Sequence, residues 1–183
     1  MNPVIFSAAQ AVFFPAPPAE PVAVSQYGFY HALDLSAPEG EEGLTVSQVV
    51  IRLTARNIYR LYVNGEIAMH GPARTAHGYC RVDEVDITDR LVDGVNHIAV
   101  EVVAYGRDWE GYNHYSNDCT MEDGLFIAEI EADGEVISAT GRDEWVVCPI
   151  TARAPLCERI SHSRECIEIY RRSNGCSSGE GVK

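Results

Sequence analysis

The segment from Gly106 to Gly124, GRDWEGYNHYSNDCTMEDG, sets Trp109, Tyr112 and Tyr115 among Asp108, Asn113, His114, Asn117 and Asp118. Aromatic rings stack on the apolar C–H faces of sugars, while carboxylates and amides hydrogen-bond pairs of hydroxyls. A long aromatic loop between strong strands is often functional. One expectation is therefore carbohydrate contact through Asp108, Trp109, Tyr112, Asn113, His114 and Tyr115. The other is that the same rings cover one end of the fold or pack on a neighbouring domain. Asp108, Asn117, Asp118, Glu122 and Asp123 also offer oxygens to a structural Ca²⁺, although their spacing departs from the EF-hand pattern. No other cofactor is implied.

A second group follows Gly71-Pro72-Ala73-Arg74: Arg74 itself, His77, Tyr79 and Arg81. Arg74 suits a bidentate contact to a hydroxyl pair or a partner carboxylate. It equally suits bracing Asp83, Glu84 or Asp86 within the fold. Nothing along the chain forms a catalytic constellation. There is no convincing carboxylate pair, nucleophile–base pair or phosphate loop. Six cysteines (Cys80, Cys119, Cys148, Cys157, Cys166 and Cys176) include no CxxC pair, which argues against structural zinc. They are expected to be reduced thiols acting as small buried hydrophobes.

The elements that position these residues read as strands. Val46 to Thr54 is rich in β-branched residues. Ile58 to Val63 alternates, with Ile58, Arg60 and Tyr62 on one face and Tyr59, Leu61 and Val63 on the other. Asn64-Gly65 is a hairpin turn from which Glu66 to His70 returns. Asn96 to Tyr105 places Ile98, Val100 and Val102 on one face. Leu125 to Glu131 meets a second turn at Asp133-Gly134, with Glu135 to Ala139 returning, and Ile167 to Tyr170 is a last short strand. The one helix-like turn begins at Thr88, a candidate cap, and ends at Asp93-Gly94. Trp145 is expected in the core. Strands and turns without helical periodicity predict an all-β antiparallel sandwich over 27–172. Before it lies a proline-rich segment, 1–26, that runs extended along a surface or stays mobile. After it, 173–183 has the Ser/Gly composition of a tail or linker.

A length of 183 residues suits one domain, and 46% hydrophobic residues with 22% charged argue against disorder. A net charge of −13 repels phosphate backbones and anionic headgroups, so nucleic acid and membrane surfaces are not expected partners. A neutral glycan is indifferent to that charge. No apolar run approaches membrane-spanning length, and the start lacks the basic n-region of a secretory signal. A cytoplasmic location is the expectation.

At residues 57–105 the order Val63-Asn64-Gly65, Gly71-Pro72-Ala73-Arg74, Asp86-Ile87-Thr88 and Gly94-x-Asn96 resembles the N-terminal domain of bacterial α-L-rhamnosidases. Arg159-Ile160-Ser161 and Glu168-Ile169-Tyr170 resemble the stretch that closes this sandwich, so the match covers roughly 27–170. The resemblance implies a galactose-binding-like jelly roll. It also implies a rhamnosylated glycan and the catalytic domain of the same polypeptide as partners. In such enzymes the acid and base carboxylates sit on a helical barrel after the sandwiches, so this chain alone is expected to be non-catalytic. Most of the motif is itself turn and corner chemistry: Asp86 and Thr88 offer oxygens to backbone donors.

Overall fold

A computed structural model describes residues 6–12, 24–37, 45–55, 57–76, 79–105, 126–143, 145–150, 152, 159–161, 164–166 and 180–182. The strands are β1 (Val24–Asp34), β2 (Val49–Ala55), β3 (Ile58–Val63), β4 (Glu66–Gly71), β5 (Asp83–Asp86) and β6 (Val95–Tyr105). After them come β7 (Phe126–Ala132), β8 (Glu135–Ala139), β9 (Trp145–Pro149), β10 (Arg159–Ser161), β11 (Arg164–Cys166) and β12 (Glu180–Val182). One 3₁₀ turn, Thr88–Arg90, interrupts them. A six-stranded sheet runs β12-β9-β1-β6-β3-β4, a four-stranded sheet runs β5-β2-β7-β8, and β10 pairs with β11. The architecture is the expected all-β antiparallel sandwich.

Alternation builds the core. Tyr59, Leu61 and Val63 of β3, with Ile98, Val100 and Val102 of β6, face Ile51 and Leu53 of β2 and Phe126, Ala128 and Ile130 of β7 in one buried cluster. Trp145 lies in it as expected, its ring meeting that of Phe126 edge to face at a centroid distance of 5.9 Å. Turn chemistry sets the registers. Asn64 (φ 51°) with Gly65 (φ 84°), and Asp133 (φ 49°) with Gly134 (φ 89°), take the positive φ pair that lets a two-residue turn follow the strand twist.

The corner residues of the 57–105 motif are fastened side chain to backbone. Asp86 Oδ1 accepts from Thr88 N at 3.0 Å and from Thr88 Oγ1 at 2.6 Å, and Thr88 Oγ1 accepts from Val49 N at 2.8 Å. Thr88 is thus a tie between strands and not a helix cap: Ile87 holds the cap position, without a side-chain bond. Asn96 accepts from Val92 N and donates to the carbonyls of Val92 and Gly94. Asn64 Nδ2 donates to Arg90 O and to Asn96 Oδ1, while its own Oδ1 accepts from His97 N. The hairpin and the turn before β6 are therefore one hydrogen-bonded unit.

One expectation, that all six cysteines are thiols, is corrected, and both flanking segments make contacts with the sheets. Within the proline-rich segment, Gln10 N donates to Thr140 O and Val12 bridges Phe126. The tail contributes β12, because the backbone edge of β9 pairs with any extended chain whatever its composition. Cys80 is disulfide-bonded and exposed, in the loop between β4 and β5, not a buried thiol. Signal-peptide reasoning addresses compartment and cannot tell which sulfurs a fold brings together. Ile167–Tyr170 lie outside the described residues. Cys148 keeps its thiol.

Candidate functional site

The predicted aromatic loop joins β6 of one sheet to β7 of the other. Asp108, Trp109, Tyr112, Asn113, His114 and Tyr115 all lie outside the described residues, as do the proposed calcium oxygens of Asn117, Asp118, Glu122 and Asp123. Among the described residues no group of three or more His, Cys, Asp or Glu is placed to hold a metal.

Arg74 is exposed in the segment after the cis Gly71–Pro72 bond. The three carboxylates it was expected to brace have other partners. Arg81 Nε lies 2.7 Å from Asp83 Oδ1, Arg52 Nε 2.7 Å from Glu84 Oε2, and Gln48 Nε2 donates to Asp86 at 2.9 Å. Asp83 is buried and also accepts from the Tyr59 hydroxyl at 2.6 Å. Burial first, then the bond to Asp83, hold the Tyr59 phenol well above its ordinary range, so it stays a donor. His77 lies outside the described residues, and Tyr79 is exposed.

The outer faces of the two sheets differ in chemistry. On the four-stranded sheet Arg52 of β2 pairs with Glu84 of β5 and Glu131 of β7. Glu129 beside them is fully buried, because the backbone of residues 7–9 crosses over it. Ser7, Ala8 and Ala9 N–H all donate to Glu129 Oε2, at 2.9, 3.1 and 3.4 Å, and Arg52 Nη1 stands 3.7 Å from Oε1. This face is ion-paired and strapped shut.

The outer face of the six-stranded sheet carries aromatic side chains. In register across it stand Val146 (β9), Tyr30 (β1), Ala99 (β6), Tyr62 (β3) and Ile67 (β4). The next row holds Cys148, Gly28, Glu101, Arg60 and His70. The Tyr30 hydroxyl and His97 Nδ1 are 2.6 Å apart, and their rings stack at 5.8 Å. Tyr62 donates to Glu101 Oε2 at 3.1 Å, with Arg60 Nη1 3.7 Å from the same oxygen. Burial, then the Glu101 charge, raise the Tyr62 phenol, which therefore keeps its proton. Tyr30 (38% exposed), Ile67 (59%) and Val95 (50%) lie on this face and are among the large apolar side chains exposed among the described residues. The signal was present in sequence. Alternation in IYRLYV set Arg60 and Tyr62 opposite the core, and in NHIAVEVVAY it did so for His97, Ala99 and Glu101. Their meeting depends on the β1–β6–β3 register, which no local pattern supplies.

The fold defines a two-sheet antiparallel β-sandwich domain. No protein-family profile matches the chain, and no curated protein does. Among solved structures it is similar to the GH78 family rhamnosidase of Bacillus sp. GL1, at 26% identity and a TM-score of 0.64, over 88% of this chain and 15% of that one. The α-L-rhamnosidase of Aspergillus terreus shares the fold at 17% identity and a TM-score of 0.52, over 78% of this chain and 17% of that one. That of Streptomyces avermitilis, complexed with L-rhamnose, does so at 18% and 0.50, over 81% and 14%. The resemblance to α-L-rhamnosidases read from the 57–105 motif is borne out. The chain spans a small fraction of those enzymes' length, so it is comparable to one small domain of a rhamnosidase and not to a whole one.

Proposed function

We propose that this chain is a non-catalytic accessory domain of a glycoside hydrolase similar to the α-L-rhamnosidases, where it positions carbohydrate substrate beside, or buttresses, the catalytic barrel of the same polypeptide. The observation that carries this reading is the similarity to the Bacillus sp. GL1 rhamnosidase, which covers nearly all of this chain and a small part of that enzyme. A rhamnosylated glycan is the substrate class that this relationship suggests. Carbohydrate contact suits the net charge of −13, because a neutral sugar approaches an acidic surface without repulsion. The aromatic segment 106–124 and Arg74 remain candidates for that contact. The test is to incubate the purified chain with an aryl α-L-rhamnoside. No release of the aryl group above the blank is expected. Turnover that a single carboxylate substitution abolishes would overturn the accessory role.

A further inference from the structure

An asparagine followed by glycine carries its own reagent. The glycine amide nitrogen attacks the asparagine Cγ, and the Cγ–Nδ2 bond breaks. Nδ2 leaves as ammonia with the glycine's amide proton, and a succinimide ring remains. Water then opens the ring to aspartate or isoaspartate, so the reaction needs no other reactant. Asn64-Gly65 is such a pair, exposed at the tip of the β3–β4 hairpin. Nothing shields the nucleophile, since a β-carbon at Gly65 would meet no atom within 4 Å.

The electrophile, by contrast, is held at every polar atom. Asn64 Nδ2 donates to Arg90 O at 2.8 Å and to Asn96 Oδ1 at 2.9 Å, and Oδ1 accepts from His97 N at 2.9 Å. Attack turns the planar amide carbon tetrahedral and carries Nδ2 away, so both Nδ2 bonds must break first. That is a local opening of the unit joining the hairpin to the turn before β6. The product cannot close again. A carboxylate at position 64 would face two acceptors, Arg90 O and Asn96 Oδ1, with no proton for either. Asn96 cannot turn its amide to help, because Nδ2 donates to Val92 O and Gly94 O while Oδ1 accepts from Val92 N. Isoaspartate would also add a methylene to the backbone of a turn that depends on φ of 51° and 84°. We propose that Asn64 is a deamidation site gated by the fold, protected while the unit is closed and, once converted, unable to lock the hairpin to that turn. The loss of ammonia makes each conversion a permanent mark on a molecule that has opened.

The experiment follows the tryptic peptide Leu61–Arg74, in which Asn64 is the only asparagine, by mass spectrometry during incubation at mildly alkaline pH. Three samples are compared: the folded chain, the chain unfolded in urea, and a synthetic peptide of the same sequence. The unfolded chain should convert at the rate of the peptide, and the folded chain about tenfold more slowly or slower still. Equal rates in the folded chain and the peptide overturn the gating. A peptide that stays amidated overturns the site itself. The consequence is read on two further proteins, Asn64→Asp and the converted wild-type chain separated by its added negative charge. Hydrogen exchange at the amides of residue 64 and His97 should be about tenfold faster in both than in the unconverted chain, while Val100 exchanges slowly as before. Unchanged exchange at residue 64 and His97 overturns the unlocking. Should Asn64→Asp fail to fold, the separated product decides the point by the same readout.

Discussion

A β-carbon at Gly71 would sit 2.5 Å from Asp83 Oδ2 and 2.7 Å from the Tyr59 hydroxyl, inside any real contact distance. The backbone at the end of β4 comes this close because buried Asp83 and Tyr59 are hydrogen-bonded to each other, with the exposed Arg81 on Asp83, and so anchor the loop between the sheets. The glycine of the Gly71-Pro72-Ala73-Arg74 motif is therefore fixed by packing. Gly71→Ala is expected to cost about 1–3 kcal/mol, the usual range for overpacking. Tyr59→Phe removes the hydroxyl, leaves Asp83 short of a donor, and should cost about 1–3 kcal/mol by itself. The two losses should not add: without the hydroxyl, part of the crowding at Gly71 is gone, so the double variant should be more stable than the summed singles by about 0.5 kcal/mol or more. Urea midpoints for the four proteins decide the matter. Strict additivity would mean that the hydroxyl does not limit Gly71.

At the scale of elements, the strap over residues 6–12 is tied to the four-stranded sheet at both of its ends. Glu129 gathers three backbone N–H groups from residues 7–9, and Gln10 and Val12 bond Thr140 and Phe126. A run of N–H groups closing on one carboxylate oxygen is an anion-binding backbone nest, here filled from within. Glu129→Ala empties it. Hydrogen exchange of the Gln10 and Val12 amides should then accelerate at least tenfold, which corresponds to about 1.4 kcal/mol of lost local stability, while exchange in β6 stays slow. Unchanged exchange at Gln10 and Val12 would show that the backbone pairs hold the strap alone. None of this was legible beforehand, because a glutamate in FIAEIEA reads as a solvent-facing strand residue until something crosses over it. The β3–β4 and β7–β8 hairpins were legible, since Asn64-Gly65 and Asp133-Gly134 specify their turns within two residues. β1 was not. Its VSQYGFYHALD carries alternating aromatics but no turn signal at its start, and its place between β9 and β6 depends on partners more than sixty residues away. The candidate site divides in the same way. Composition alone flagged 106–124, whereas the surroundings of Ala99 need three strands in register.

Across the whole molecule, the disulfide at Cys80 changes what a thiol count should return. Each disulfide removes two thiols, so titration of the unreduced, unfolded protein should find at most four of the six. Finding all six would mean that Cys80 is not bonded in solution. The strap also has a bearing on how the chain assembles. Ser7 and Glu129 are 122 positions apart, so the first described residues have nowhere to dock until β7 and β8 have left the ribosome. β1 waits too, for β6 and then for β9. Closing such long loops is slow, because their entropy must be given up before the contacts that offset it exist. During synthesis the aromatic strand Val24–Asp34 therefore stays unpaired until β6 has left the ribosome, which makes nascent β1 the natural target for a chaperone that binds extended apolar chain.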